Sequence, residues 1–405
     1  MTLDHRIESR TFTLTGADGT PLAGRDVVVE QLQHDFGFGN IGFELVPHAN
    51  GEADLSQLAQ DWLALFDTAT LPFYWGQFEP ERGQPDTARL LTAARWFAER
   101  GVRLKGHPLV WHTVKAQWMD PLPSDEVLSL TRGRITREVE SFAGLIDTWD
   151  AINESVIMPQ FTNEPDGVPN AISRLARELG RPGIIRLALE TARAANPAAT
   201  LLINDFDLSS RYERVIEETL EAGVRIDAIG LQTHMHQGYR GEDRLLEVAD
   251  RFSRFGLPLH FTEVSLVSGD LMPAEVEDLN DYVVDEWPST PEGEERQADE
   301  LGAMYRALAG HPAVEAITYW GITDTDAWLG APIGLLRPDG SRKPSYDRLH
   351  SLIRGEWWLP PTTMTTDDDG TLTVRGWRGR YRVSSDSASA EFEVAAGEPQ
   401  QLVLA

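Results

Sequence analysis

Between Phe36 and Trp320 the chain repeats one pattern eight times: a short apolar or β-branched run, then turn residues, then an amphipathic stretch. This alternation limits the fold more than any other feature, because strands that each feed a helix pair in parallel and bury both faces. The predicted strands are Phe36–Ile41, Ala69–Phe73, Arg103–Val110, Ile146–Asn153, Thr200–Asn204, Ile226–Gln232, Leu257–Glu263 and Ala316–Trp320. Helical spacing of apolar residues marks Asp86–Arg100, Ile184–Ala195, Asp243–Arg254 and Arg296–Leu308 between them. Eight such units predict an α/β protein, a (β/α)8 TIM barrel over residues 36–359. A doubly wound open sheet is the rival. It favours a glycine-rich phosphate turn opening a helix, and Gly37-Phe-Gly-Asn-Ile-Gly42 precedes no helical pattern.

The two ends read differently. Phe12-Thr-Leu-Thr and Asp26-Val-Val-Val-Glu are strands around a turn at Asp18-Gly19 and Pro21. Thr371-Leu-Thr-Val, Arg380-Tyr-Arg-Val and Ala390-Glu-Phe-Glu-Val repeat the pattern near the C-terminus. Neither set buries a face alone, so residues 1–35 and 360–405 are expected to combine into a small accessory β-sandwich. Asp367-Asp-Asp-Gly lacks the spacing of a calcium loop and reads as a hairpin turn.

Composition narrows the partners. A formal charge of -28 argues against nucleic acid and against anionic membranes, which call for clustered Lys and Arg. No apolar run approaches the ~20 residues that span a bilayer. The chain has no cysteine, which removes disulfides and thiolate chemistry. The N-terminal residues lack a basic start, an apolar stretch and a cleavage site, so the expectation is a cytoplasmic protein, or a secreted one whose signal has been removed. Twelve Trp residues are a high share. Indoles fill cores, and they also stack on the C–H faces of sugars.

Polar residues collect where the strands end, the catalytic rim of such a barrel. The fourth strand ends Thr148-Trp-Asp-Ala-Ile-Asn-Glu154, and the seventh ends Leu259-His-Phe-Thr-Glu263. Either carboxylate alone could cap a helix or sit in an ion pair. Two of them, on nearly opposite strands of one barrel, face each other across its mouth. That arrangement suits cleavage of a glycosidic bond, with one group donating a proton and the other attacking the anomeric carbon.

The motifs Lys105-Gly-His-Pro-Leu-Val-Trp-His112, Trp149-Asp-Ala-Ile-Asn-Glu154, Ile203-Asn-Asp, Ile229-Gly-Leu-Gln-Thr-His234, Phe261-Thr-Glu263 and Tyr319-Trp-Gly-Ile-Thr-Asp324 fall in order at the ends of strands three to eight, with Trp328 following. In these motifs the chain resembles the xylanases of glycoside hydrolase family ten over roughly residues 36–355. The resemblance implies a retaining β-glycosidase with Glu154 as acid/base and Glu263 as nucleophile. It implies that Asn153 bonds the 2-hydroxyl of the sugar at the cleavage point and that His107 and Trp111 line its neighbouring face. Gln232 and His234 would hold Glu263 as the anion, while Trp320 and Trp328 wall the glycone pocket. The charge of Glu263 is expected to raise the pKa of Glu154, so that it starts protonated. No metal or organic cofactor is needed. His234-Met-His236 hints at a metal, but no third ligand stands at a suitable spacing.

Three departures from the family pattern stand out. Where the family's second strand carries Glu, Asn and Lys that grip the next sugar, this chain has Thr70, Leu71 and Tyr74. A usual Gln is Val114, and a usual Asp two places after the nucleophile is Ser265, which removes the acidic partner of His234. In addition, a long segment from Val264 to Glu294 precedes the next helix. Loops of this length are often functional: it either covers the leaving-group side or forms an acidic solvated flap. The expected substrate is therefore a short oligosaccharide or a plant glycoside with an apolar aglycone. The alternatives are a conventional endo-1,4-β-xylanase and, from another class, a non-catalytic carbohydrate-binding barrel. Sugar identity and oligomeric state are not legible.

Overall fold

The structure is a computed structural model that describes residues 2–162, 168–385, 388–397 and 400–404. Eight parallel strands close into a barrel: β3 (Gly37–Ile41), β4 (Thr68–Pro72), β5 (Arg103–His107), β6 (Thr148–Asn153), β7 (Thr200–Asp205), β8 (Ala228–Met235), β9 (Leu259–Leu266) and β10 (Val314–Tyr319). They pair in sequence order, with β10 closing on β3. The expected (β/α)8 barrel is what forms. Its strands are buried along nearly their whole length because helices cover the outer face and side chains fill the inner one.

The helices follow their apolar spacing and their caps. Thr87–Ala98 buries Leu90, Ala93, Ala94 and Phe97 on one stripe against the strands. Ser209 caps Ser210–Glu221, and Thr290 caps Pro291–Ala309, each accepting a bond from an otherwise unpaired backbone N–H. Between strands, close packing sets local identity. At Gly106 on β5 a side chain would collide with the indole of Trp149 on β6, which is fully buried.

Several strand ends lie elsewhere than predicted. Regular pairing of β5 stops at His107 rather than Val110, and resumes only at a single bridge between Val110 and Ile152. By contrast β8 and β9 continue their ladder through Met235 and Leu266, so Gln232 and Glu263 stand inside the sheet and not at its end. Both carboxylate strands carry a bulge just before the glutamate. On β6 the register shifts between Asp150 and Ile152, and opposite Leu231-Gln232 the partner residues on β9 are Phe261 and Glu263, leaving Thr262 extra. A bulge re-aims the side chains beyond it. Here it directs them into the barrel mouth.

The terminal segments supply seven further strands: β1 (Ile7–Gly16), β2 (Asp26–His34), β11 (Thr362–Thr365), β12 (Thr371–Trp377), β13 (Gly379–Ser385), β14 (Ala388–Val394) and β15 (Gln400–Leu404). They form one sheet in the order β12-β1-β15 and another in the order β11-β2-β13-β14. Phe12, Leu14, Val29, Val374, Tyr381 and Val394 from the two sheets share one buried cluster. The pair sits under the barrel, away from Glu154. Trp377 stacks on Trp357 at 5.1 Å, and Trp357 stacks on Phe38 of β3 at 5.6 Å. Arg6, 3% exposed, threads its guanidinium to the carbonyls of Ala309, His311 and Val314, where the chain enters β10. A buried guanidinium is tolerated only when its donors are satisfied, and three carbonyls plus the Phe36 ring at 4.7 Å do so. Arg6→Ala leaves those carbonyls unpaired. It is expected to cost about 3 kcal/mol in urea unfolding, with little change in the site above.

Candidate active site

The rim holds two carboxyls joined through amides. Asn153, last residue of β6, presents its carbonyl oxygen to Asn204 Nδ2 and Gln232 Nε2, both at 2.9 Å. Asn153 Nδ2 in turn donates to Glu154 Oε1 at 3.3 Å, and Asn204 Nδ2 also donates to Glu263 Oε1 at 2.8 Å. Gln232 was expected to hold Glu263. Its Nε2 instead bonds Asn153 and lies 3.5 Å from Glu154 Oε1. The bulge on β9 sets Glu263 opposite Gln232 in the ladder, but the Gln232 amide is taken up by Asn153, and it is Asn204 that donates to Glu263. Asn204 was visible in the Ile203-Asn-Asp motif but had been given no role. Gly230 beside it leaves the room its side chain takes, because a Cβ there would strike Asn204 Oδ1.

Glu154 itself has φ of 57°, a left-handed backbone that a glutamate adopts only at a cost. The strain is held by a backbone bond from Glu154 N to the Asn204 carbonyl at 2.7 Å. Just beyond it, Val156 N donates to Asp205 Oδ2 at 3.0 Å.

His234 Nε2 lies 3.2 Å from Glu263 Oε2, and its Nδ1 lies 2.9 Å from Ser265 Oγ. A carboxylate only accepts, so Nε2 carries the proton toward Glu263; in the neutral ring Nδ1 then accepts from the serine hydroxyl. Ser265 thus takes over the orienting role of the absent Asp without adding a charge. On the floor, Lys105 Nζ and His107 Nδ1 both sit 2.7 Å from Asp150 Oδ2. Burial opposes ionisation of Asp150, but the Lys105 charge and the His107 bond outweigh it and hold the carboxyl at about 2. Lys105 and Asp150 were legible only as motif letters.

The walls are aromatic. Tyr74 packs on Trp111 at 5.6 Å and edge-on to His107 at 5.7 Å; Phe43, from the loop after β3, bridges Tyr74 and Trp320 at 5.8 and 5.7 Å. Trp328 lies 4.8 Å from the His234 ring. Of the three residues replacing the family's polar grip, only Tyr74 reaches this box. Thr70 and Leu71 are fully buried in the barrel, so they cannot face a sugar. Burial, followed by the charges of Glu263, Glu154 and Asp150, raises the Tyr74 phenol well above its usual value, which places it among all three carboxyls. Arg134, buried and unforeseen, donates to the carbonyls of Phe73, Pro108 and Leu109 and so fixes the segments that carry Tyr74 and Trp111. Val114 is partly exposed, and its carbonyl accepts from Gly76 N at 2.7 Å.

Trp111 also reaches a carboxyl: its Nε1 donates to Glu154 Oε2 at 2.8 Å. Burial comes first among the causes that push Glu154 up to about 8. The charges of Glu263 and Asp205 add to it, while the Trp111 bond works against it. The Glu263 charge thus raises Glu154 as expected, with burial as the larger cause. Removing the indole N–H withdraws a bond to the anion, so Trp111→Phe is expected to move the Glu154 titration further up. Carbon-13 NMR of labelled glutamate, followed from pH 5 to 10, reads this shift directly.

The family model of glycosyl hydrolase family 10 matches residues 58–351, well over half of the chain. An endo-1,4-β-xylanase/feruloyl esterase of Xylanibacter ruminicola is 27% identical over 289 residues, 65% of this chain but 39% of that protein's length. Endo-1,4-β-xylanase B of Thermotoga neapolitana is 27% identical over 326 residues, covering 78% of this chain and 84% of the relative. Among solved structures, xylanase 10B of Thermotoga petrophila in complex with xylobiose superimposes with a TM-score of 0.64 at 22% identity, over 80% of this chain and 95% of that one. The chain belongs to glycosyl hydrolase family 10, a family of retaining O-glycoside hydrolases.

Proposed function

We propose that the chain cleaves β-1,4-linked xylosides by double displacement, with Glu154 as acid/base and Glu263 as nucleophile. One observation carries the assignment: the two carboxyls share an amide network yet sit in opposite environments. Glu263 receives donors from Asn204 and His234, which suit an anion poised to attack. Glu154 is pushed up by burial, which suits an acid that begins protonated. In the first step Glu154 gives its proton to the glycosidic oxygen while Glu263 bonds to the anomeric carbon. Esterification removes the charge of Glu263, one of the causes that raise Glu154. The carboxylate left on Glu154 then takes a proton from water, which attacks the same carbon and frees the sugar with its configuration retained. Asn153 keeps one amide N–H beyond its bond to Glu154, and it is placed for the sugar 2-hydroxyl.

For the substrate, the relatives named endo-1,4-β-xylanase favour a xylan-type chain over the apolar plant glycoside expected from the departures. A second reading, a short xyloside with an apolar neighbouring group, rests on Tyr74. It puts a phenol ring where the family pattern has a lysine, against Trp111 and Phe43. Incubation with xylan and with aryl β-xylosides separates the two. Release of a ladder of xylo-oligosaccharides is expected on the first reading; cleavage of aryl xylosides with xylan untouched overturns it in favour of the second. Trapping with a 2-deoxy-2-fluoro-β-xyloside should add one sugar to the peptide bearing Glu263, and an adduct elsewhere removes that residue from its role.

Two further outcomes follow from the network. kcat/KM is expected to fall as pH rises through the value of about 8 for Glu154, because only the protonated form donates. Asn204→Ala removes the shared donor to Asn153 and Glu263. It should lower kcat on the order of 10²-fold, in steady-state assays, while the fold melts normally.

A further inference from the structure

The segment between β9 and the helix Pro291–Ala309 was expected to be either a solvated acidic flap or a cover for the leaving group. It is neither free nor solvated throughout. Its residues Val267, Met272 and Trp287 pack with Ala331 and Ile333, from the loop after β10, into a separate apolar cluster. Backbone bonds pin it at several points: Met272 N to the His236 carbonyl at 3.0 Å, Ser268 N to the Pro332 carbonyl at 2.9 Å and Thr290 N to the Ser268 carbonyl at 2.9 Å. Gln237 Nε2 donates to the carbonyls of Pro273 and Val276 at 2.9 and 2.8 Å. Lys343 Nζ, fully buried, joins Ser268 Oγ at 2.8 Å to Asp324 at 2.7 Å, so the loops after β9 and β10 are tied together.

The cluster reaches the sugar pocket through one ring. His236, fully buried, lies 6.0 Å from Trp287, 5.1 Å from Trp328 and 6.0 Å from His234, stacked on the last. Neither of its ring nitrogens has a hydrogen-bond partner among the described residues. Burial lowers its pKa to about 3, so it is a neutral, flat, apolar-facing plate. A histidine kept without hydrogen bonds is costly, and its three aromatic neighbours are what the position returns. On one side is the loop's Trp287. On the other are Trp328, which walls the glycone pocket, and His234, which bonds Glu263.

We propose that the 267–290 segment is a fixed brace, seated through Trp287 on His236, that holds Trp328 in place against the bound sugar. Trp287 and His236 are then positioning residues for this family's reaction. This rests on the reading that Trp328 lines the sugar site. It makes the segment the reverse of a lid: its apolar cluster is packed on its own side chains, so sugar binding finds Trp328 already oriented, with no loop ordering to oppose affinity.

The test uses the full chain in four forms: wild type, Trp287→Ala, His236→Ala and Trp287→Phe, with Val383→Ala in the accessory sheets as a control for general destabilisation. Fluorine-19 NMR of protein labelled with 5-fluorotryptophan, with the Trp328 line assigned by Trp328→Phe, reads the indole directly and without substrate. A single sharp line is expected in wild type, a shifted or broadened one in both alanine variants, and recovery in Trp287→Phe. With an aryl β-xyloside, KM should rise about tenfold in the alanine variants while kcat changes less than about threefold, because Asn204 still holds Glu263. The control should change neither. An unaltered Trp328 line in both alanine variants overturns the brace, as does a KM rise equal to that of the control. Failure of wild type to cleave any β-xyloside would defeat the catalytic reading instead, and the Trp328 line would still decide the brace.

Discussion

The carbonyl of Asn153 is the joint on which the site depends. It accepts from Asn204 and Gln232 together, which fixes the orientation of its amide and leaves Nδ2 facing Glu154 and the space above. Asn204 then carries the same geometry to Glu263. Three strands, β6, β7 and β8, must therefore keep their register for the two carboxyls to be placed at all. The barrel is closed, so a slip in one strand cannot be absorbed at an edge. That is why the chain tolerates a left-handed glutamate at φ 57° and two bulges in this one region. The local costs are carried by a scaffold that cannot relax them away.

Charge in the site is arranged around the same constraint. The protein as a whole carries -28, yet the floor of the pocket is a closed set in which Lys105 and His107 meet Asp150. Pairing at that depth keeps Asp150 ionised, so its charge is matched below the site. Ser265 in place of an aspartate acts in the same direction. It orients His234 by a neutral bond and spares the site another buried carboxylate. Both carboxyls lie deep in the mouth and differ in their donors: Glu154 has a single strong indole donor, and Glu263 has two donors aimed at its two oxygens.

The barrel, its strand order and the two glutamates were legible because each rests on a repeating signal: alternating strand and helix, and a motif at each strand end. What the sequence hid has physical causes. A bulge inserts a single residue, so nothing in the letters Phe261-Thr-Glu263 says that Thr262 is the extra one, nor that the Gln232 amide, opposite Glu263 in the ladder, turns to Asn153 instead. Thr70 and Leu71 read as pocket positions by alignment, but both are fully buried within β4, and only Tyr74, beyond the strand, reaches the site. Phe43 and Arg134 carry no motif. Their roles come from contacts between loops distant in sequence, which no local pattern records. The acidic composition of the 264–294 stretch pointed to solvent, since its few apolar residues are scattered. Their partners, Ala331 and Ile333, lie on another loop.

That last case bears on how such a barrel specialises. The bottom is tied by the terminal sheets, where Arg6 and the Trp357–Trp377 stack secure the entry to β3 and β10. The rim is tied on one side by the cluster between the loops after β9 and β10. Between them, β10 is constrained at both ends, and β9, which carries Glu263, is constrained at the rim. Substrate preference can then change on the opposite wall, where Tyr74, Phe43 and Trp111 meet, without disturbing the carboxyl pair. Replacing a lysine by a phenol there exchanges a charged grip for a ring face, which alters what lies beside the cleaved sugar. Glu154 and Glu263, held by amides from β6, β7 and β8, do not share those contacts. The exception is Trp111, which touches both wall and acid. Among the described residues of this wall, Trp111 is the one that bonds Glu154, so a change that moved its ring would also retune that carboxyl.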